Sequence, residues 1–281
     1  MIQSLYHILS IHVAHLLSNI NDRQSMLSQH EVRPCTIIGN WKMHKTIEEA
    51  RTFVAQLISS QPNVKCNIGL AVPFTMIYPI AQECAHSIVT IGAQTMNDVS
   101  QGAFTGEIAG KMLIDAGAKF VILGHSERRL LYGEDDALIN RKIKRAIEIG
   151  LQPLLCIGET KEEYEKGTTQ QVIEKQLQED LKDIPAEQLA NLIIAYEPIW
   201  AIGSGQSASP EIAQSVHAYC RELLAKMYNQ ILAQRIVIQY GGSVDPENAP
   251  TLLSKPDIDG LLIGGASLSL ESFLKIVNND T

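Results

Sequence analysis

Lys119-Phe120-Val121-Ile122-Leu123-Gly124 and Asn191-Leu192-Ile193-Ile194-Ala195-Tyr196 are short runs, apolar on both would-be faces. Runs of this length with little polar alternation read as parallel strands covered on both sides. Six more runs resemble them, at 35–40, 67–72, 88–93, 152–157, 235–240 and 258–263. Between the runs lie amphipathic stretches with helix-start signals. Thr46 with Glu49 and Thr160 with Glu163 are capping-box pairs, while Ser209-Pro210 and Asp245-Pro246 read as an N-cap followed by a first-turn proline. Eight strand–helix units after residue 34 match a single α/β domain, a (β/α)8 barrel, which takes roughly 250 residues. A doubly wound open sheet is the competing architecture, and eight units in one domain favour closure.

Composition narrows the function. Of 281 residues, 45% are apolar and 19% charged, which is ordinary globular usage. The formal charge of −8 argues against a sequence-independent nucleic-acid binder but leaves room for a local cationic pocket. The five cysteines, Cys35, Cys66, Cys84, Cys156 and Cys220, are odd in number and form no CxxC pattern. They read as buried or free thiols in a reducing, cytoplasmic setting, without a disulfide frame.

Residues 1–33 read as an N-terminal extension with no assigned function, ahead of a barrel over 34–281. Residues 1–21 carry no charged side chain, but His7, Ser10, His12, His15 and Ser18 interrupt any membrane span. Arg23 comes too late for a signal peptide. Translation from Met26 is the plainest account of this segment.

In such barrels chemistry sits on the loops after the carboxyl ends of the strands. Asn40-Trp41-Lys42 follows the first run, and Gly124-His125-Ser126-Glu127-Arg128-Arg129 follows the fourth. A helix starting beyond His125 disfavours imidazolium, so a neutral ring could donate a hydrogen bond. Glu197-Pro198-Ile199-Trp200 leads from the sixth into a glycine-bearing loop suited to a base beneath a lid. Gly241-Gly242-Ser243 and Gly264-Gly265-Ala266-Ser267 follow the last two, where backbone N–H groups can cradle a phosphate. Any one of these residues alone reads as an ordinary turn or surface position. Together they put a carboxylate, an imidazole, an ammonium and an anion cradle on one rim. Gly203 to Ala208 matches a dinucleotide-binding glycine pattern on paper, yet it lies beyond Pro198 and Trp200 and is not the first turn after a strand.

The motifs Asn40 to Met43, Gly124 to Arg129, Ala195 to Gly203, Tyr240 to Val244 and Gly264 to Leu268, in this order, resemble the triosephosphate isomerase family. The resemblance implies Glu197 as the base, His125 as a neutral electrophile, Lys42 as the charge facing the enediolate and Asn40 as a substrate contact. Glu127 resembles the carboxylate beside the lysine. Gly203, Ser243, Gly264 and Gly265 match phosphate-contacting positions. Residues Pro198, Ile199 and Trp200 through Ala208 would form the lid, latched by Tyr240. Gln206, Ser204 and Ser207 depart from the family's usual lid residues, which bears on lid opening and leaves the reacting groups alone. The stretch from Gln94 to Glu107, with Phe104 and Thr105 at its tip, resembles a loop that inserts into a partner subunit, so a homodimer is expected. The resemblance implies a triose phosphate substrate, no cofactor, no metal, and no nucleic-acid or membrane partner. A barrel acting on a larger sugar phosphate and a catalytically silent barrel are the alternatives.

Overall fold

The computed structural model describes residues 33–60, 66–202 and 207–278. Of the extension expected at residues 1–33, all but Arg33 lies outside the described residues, as does the Met26 start.

Each unit begins with a strand and returns through helix. The first half runs β1 (Thr36–Asn40), α1 (Ile47–Ser59), β2 (Asn67–Val72), α2 (Phe74–Glu83), β3 (Val89–Ala93), α3 (Gly110–Asp115), β4 (Phe120–Leu123), α4 (Ser126–Tyr132) and α5 (Asp136–Glu148). The second half runs β5 (Gln152–Ile157), α6 (Lys161–Glu165), α7 (Thr169–Asp180), β6 (Ile193–Tyr196), α8 (Pro210–Met227) and α9 (Gln230–Arg235). It ends with β7 (Val237–Tyr240), α10 (Ala249–Leu253), β8 (Gly260–Ile263) and α11 (Leu270–Val277). All eight expected strands form, in the expected order. They close into one parallel barrel in which β8 pairs with β1, Thr36 opposite Gly260.

Closure explains why the runs show so little alternation. Ile38, Ala71, Phe120, Ile122, Leu154, Cys156, Ile193, Ala195, Val237 and Leu262 form one buried cluster, whereas Ile37, Leu70, Val121, Leu155, Ile194 and Ile238 belong to the larger core. Both alternating sets are apolar because both faces are covered. Phe120 needs small neighbours: a Cβ on Gly92 would stand 2.4 Å from its ring. Glycine there is a steric requirement, because at that distance the ring would have to move.

Helix starts follow the sequence signals at Thr46, Thr160 and Ser209, whose side chains accept the expected N–H groups. Asp245 departs from expectation. Its carboxylate takes the N–H groups of Glu247 and Asn248 in a turn, and α10 begins only at Ala249. The local hydrogen bonds an aspartate offers satisfy a turn as well as a cap, and here the turn wins.

The cysteine reading needs a larger correction. Cys35 and Cys66 are joined by a disulfide, while Cys84, Cys156 and Cys220 are free and buried. The pairing follows from strand register. Thr36 lies opposite Asn67, so the preceding residues meet with Cα atoms 4.4 Å apart, across 31 positions of sequence. Spacing along the chain gives no hint of this, because register is a property of the sheet. Closing a loop of this length restricts the unfolded chain by about 3–4 kcal/mol in the chain-entropy account. The bond sits at the amino end of β1, about 16 Å of strand from Asn40. Reducing it, or introducing Cys35→Ser with Cys66→Ser, is expected to lower the denaturation midpoint by an amount of this order and leave turnover unchanged; equal stability with and without reductant would contradict this.

Candidate active site

The site is built from the carboxyl ends of β1, β4, β6, β7 and β8. Asn40, Lys42, His125, Glu197, Gly242, Ser243, Gly264 and Gly265 line one cavity of about 200 Å³. That lies below the roughly 300–1,000 Å³ typical of sites for drug-sized ligands, so it suits a small substrate.

Helix α4 organises the pair His125 and Glu197. His125 is its N-cap, and its Nδ1 accepts the Glu127 N–H at 3.2 Å. The ring proton therefore sits on Nε2, which donates to Glu197 Oε1 at 3.1 Å. Glu197 Oε2 accepts the Ser126 N–H at 2.9 Å. Both side chains are buried, Glu197 at 2% exposure and His125 at 6%. The helix start thus sets a ring whose Nδ1 accepts and whose Nε2 donates beside a carboxyl group held by a backbone N–H. The Glu197 backbone is gripped as well. Its N–H donates to Ile157 O, and a Cβ on Gly158 would fall 1.8 Å from its carbonyl oxygen.

Among the described residues, Lys42 is the only Lys or Arg lining the cavity. Its Nζ donates to Glu127 Oε1 at 2.7 Å, and its N–H donates to Asn40 Oδ1 at 3.1 Å. The pair with Glu127 is partly exposed, 27% and 43%, so the ammonium can leave it at little cost. On the far wall, the 3-10 turn Gly265–Leu268 starts without a side-chain cap, which leaves its leading N–H groups open to an anion. A family profile described as Triosephosphate isomerase matches residues 35–280. The chain is 60% identical over 247 residues to a Triosephosphate isomerase of Protochlamydia amoebophila, covering 88% of this chain and 94% of that protein. It is 51% identical over 242 residues to one of Carboxydothermus hydrogenoformans, covering 86% and 96% respectively. One from Chlamydia trachomatis serovar D is 46% identical over 243 residues, covering 86% and 88%.

The chain belongs to the triosephosphate isomerase family.

The stretch after Glu197 is tied at both ends. Pro198 caps the short turn Ile199–Ala201, and the Trp200 indole donates to Glu159 Oε1 at 2.8 Å while stacking on Tyr164. At the other end the Ala208 N–H donates to the Tyr240 hydroxyl at 3.1 Å. Gly203, Ser204, Gly205 and Gln206 lie outside the described residues. Phe104 is 47% exposed and Thr105 is exposed beside it. Among the described residues no group of three or more His, Cys, Asp or Glu is arranged to hold a metal ion.

Several supporting groups escaped the sequence reading. The Ser126 N–H is a backbone donor and carries no side-chain signal. Glu159 is fully buried, takes donors from Tyr196 and Trp200, and has its pKa raised by burial. Arg129 fixes α4 to the barrel rim by donating to Gly124 O and Cys156 O and pairing with Asp136 and Asp180. Burial pushes Asp180 up to about 7, against the pull of that guanidinium. Only the arginine pair in Gly124 to Arg129 hinted at this anchor.

Behind Tyr196 and Tyr240 lies His217, fully buried, its Nδ1 against Asp257 O and its Nε2 without a partner. Burial lowers its pKa from 6.5 to about 4. The folded chain keeps the ring neutral down to about pH 4, whereas the unfolded chain protonates it near 6.5. Stability is therefore expected to fall as pH drops from 6.5 towards about 4, by up to about 3 kcal/mol from this ring. Denaturant titrations of the native chain and His217→Gln across that range check it, and an equally steep acid limb in the variant would refute the assignment.

Proposed function

We propose that this chain interconverts D-glyceraldehyde 3-phosphate and dihydroxyacetone phosphate, in glycolysis and gluconeogenesis, by proton transfer through an enediolate. The observation that carries the reading is the hydrogen-bonded pair of Glu197 and a neutral His125 in a small cavity that also holds Lys42 and the glycine-rich wall. A proton next to a carbonyl is weakly acidic, so its removal needs a base on one side of the carbon frame and donors on the other. Glu197 takes the proton from one carbon and returns it to its neighbour. His125 Nε2–H polarises the carbonyl oxygen, and because the ring starts neutral it can pass a proton between the two oxygens. Lys42 faces the negative charge that develops on the enediolate, with Asn40 beside it. Glu127 holds the ammonium until the substrate arrives.

The phosphate fits the wall made by Ser243, Gly264 and Gly265, with Gly203 added from the lid. Closure of the segment 198–208 over it would dry the site, strengthen Glu197 as a base and shield the enediolate from phosphate loss. To act, Glu197 must exchange the Ser126 N–H for the substrate carbon. The residues named require neither a metal nor an organic cofactor for any of these steps. The cavity volume disfavours a larger sugar phosphate, and the joint presence of Glu197, His125 and Lys42 disfavours a silent barrel.

The catalytic barrel is assigned to residues 34–281, preceded by an extension over 1–33. The proposed location is the cytoplasm, and no helix among the described residues is long and apolar enough to cross a membrane. A homodimer is also proposed. Met43 follows β1, Phe74 and Tyr78 follow β2, and Phe104 follows β3; all four side chains are exposed and apolar on three adjacent units. Such a flank is the expected signature of an interface.

In a coupled assay on glyceraldehyde 3-phosphate, Glu197→Asp is expected to lower kcat about a hundredfold or more with little change in KM, because a base withdrawn by one methylene is misplaced by about 1 Å. Activity within a few-fold of the native chain would remove Glu197 from the role. Sedimentation at micromolar concentration is expected to give twice the chain mass, and a monomer there would end the dimer proposal.

A further inference from the structure

Lys42 adopts a backbone conformation that its side chain disfavours, with φ at +49°. A non-glycine residue in the left-handed region is held there at a cost of roughly 1–2 kcal/mol, so surrounding groups must enforce it. Two side chains grip its backbone from opposite ends. Asn40 Oδ1 accepts the Lys42 N–H at 3.1 Å. The Lys42 carbonyl accepts from Gln94 Nε2 at 2.8 Å, and the same amide nitrogen donates to Ala71 O at 3.0 Å. Ala71 O in turn accepts the Trp41 N–H at 3.1 Å. Gln94 thus uses both protons of its amide to pin the loop after β1 onto the end of β2. It stands on the residue directly after β3 and does not line the cavity.

We infer that Gln94 is a positioning residue for the isomerisation: its amide holds Lys42 in the left-handed conformation that aims the ammonium into the cavity. The inference rests on the role assigned to Lys42 above. With the clamp released, the Lys42 peptide relaxes to an ordinary conformation, and a rotation at φ swings the side chain away from the anion cradle. Gln94 touches neither the substrate nor a reacting atom, so its loss acts only through the lysine.

The test is a kinetic double-mutant cycle on the full chain. Gln94→Met keeps the volume of the side chain and removes both donors. It is expected to raise KM for glyceraldehyde 3-phosphate and the inhibition constant for inorganic phosphate by about tenfold each, with a smaller fall in kcat. In a Lys42→Ala background the same substitution is expected to change kcat/KM by less than about twofold, because the residue it positions is already gone. An equal loss in both backgrounds, or a loss of stability with unchanged KM and phosphate inhibition, overturns the inference. If Lys42→Ala alone leaves kcat/KM intact, the role of Lys42 fails instead, which separates the two readings. Should Gln94→Met not accumulate as folded protein, Gln94→Glu keeps the shape, turns an acceptor towards two carbonyls, and reads the same quantities.

Discussion

The N-terminus of α4 is the constraint on which the site depends. Two of its free backbone N–H groups are spent on the reactive side chains: the Ser126 N–H on Glu197 and the Glu127 N–H on His125. One helix start therefore orients both groups, with His125 Nε2 donating to Glu197 Oε1 across 3.1 Å. The helix has seven residues and little packing surface of its own. Its position is secured by Arg129, which reaches back to two rim carbonyls and two carboxylates. The N-terminus of α4 is thus held by an ionic network built on its middle residue.

Beneath the pair, the barrel interior supplies a dry floor. Cys156 is fully buried and its thiol is pushed well above the usual range, by burial first and by the nearby Glu197 carboxylate second. A thiol that stays neutral adds no charge below Glu197, and it can donate a weak hydrogen bond to it. Phe120 plugs the same interior, admitted by glycine on β3. The interior below the cavity is thus packed with apolar side chains.

The sequence made the barrel legible because its eight strands are each apolar on both faces, a pattern that survives without any alignment. It also exposed the polar side chains that gather at one mouth: Asn40, Lys42, His125 and Glu197 all fall at strand ends and line one cavity. What stayed hidden depends on geometry between distant units. The Cys35–Cys66 bond needs the register of β1 on β2, and the Gln94 clamp spans 52 residues to reach Lys42. Glu159 reads as the residue before a capped helix until Tyr196 and Trp200 are seen to converge on it. Asp245 failed in the opposite sense, since its local signal was real but served a turn.

The two tethers around the stretch after Glu197 differ in kind, and the difference constrains how that stretch can move. Trp200 donates to a fully buried carboxylate whose Oε1 also takes the Tyr196 hydroxyl. Breaking that bond without replacement leaves the Tyr196 hydroxyl on the same oxygen and costs about 1–3 kcal/mol. The Tyr240 hydroxyl instead receives a backbone N–H from Ala208, and a hydroxyl can turn to take or give a hydrogen bond elsewhere. Closure that moved Trp200 would need a donor to take its place at Glu159. Under the proposed reading, phosphate bound against the wall of β7 and β8 would be the source available for that change.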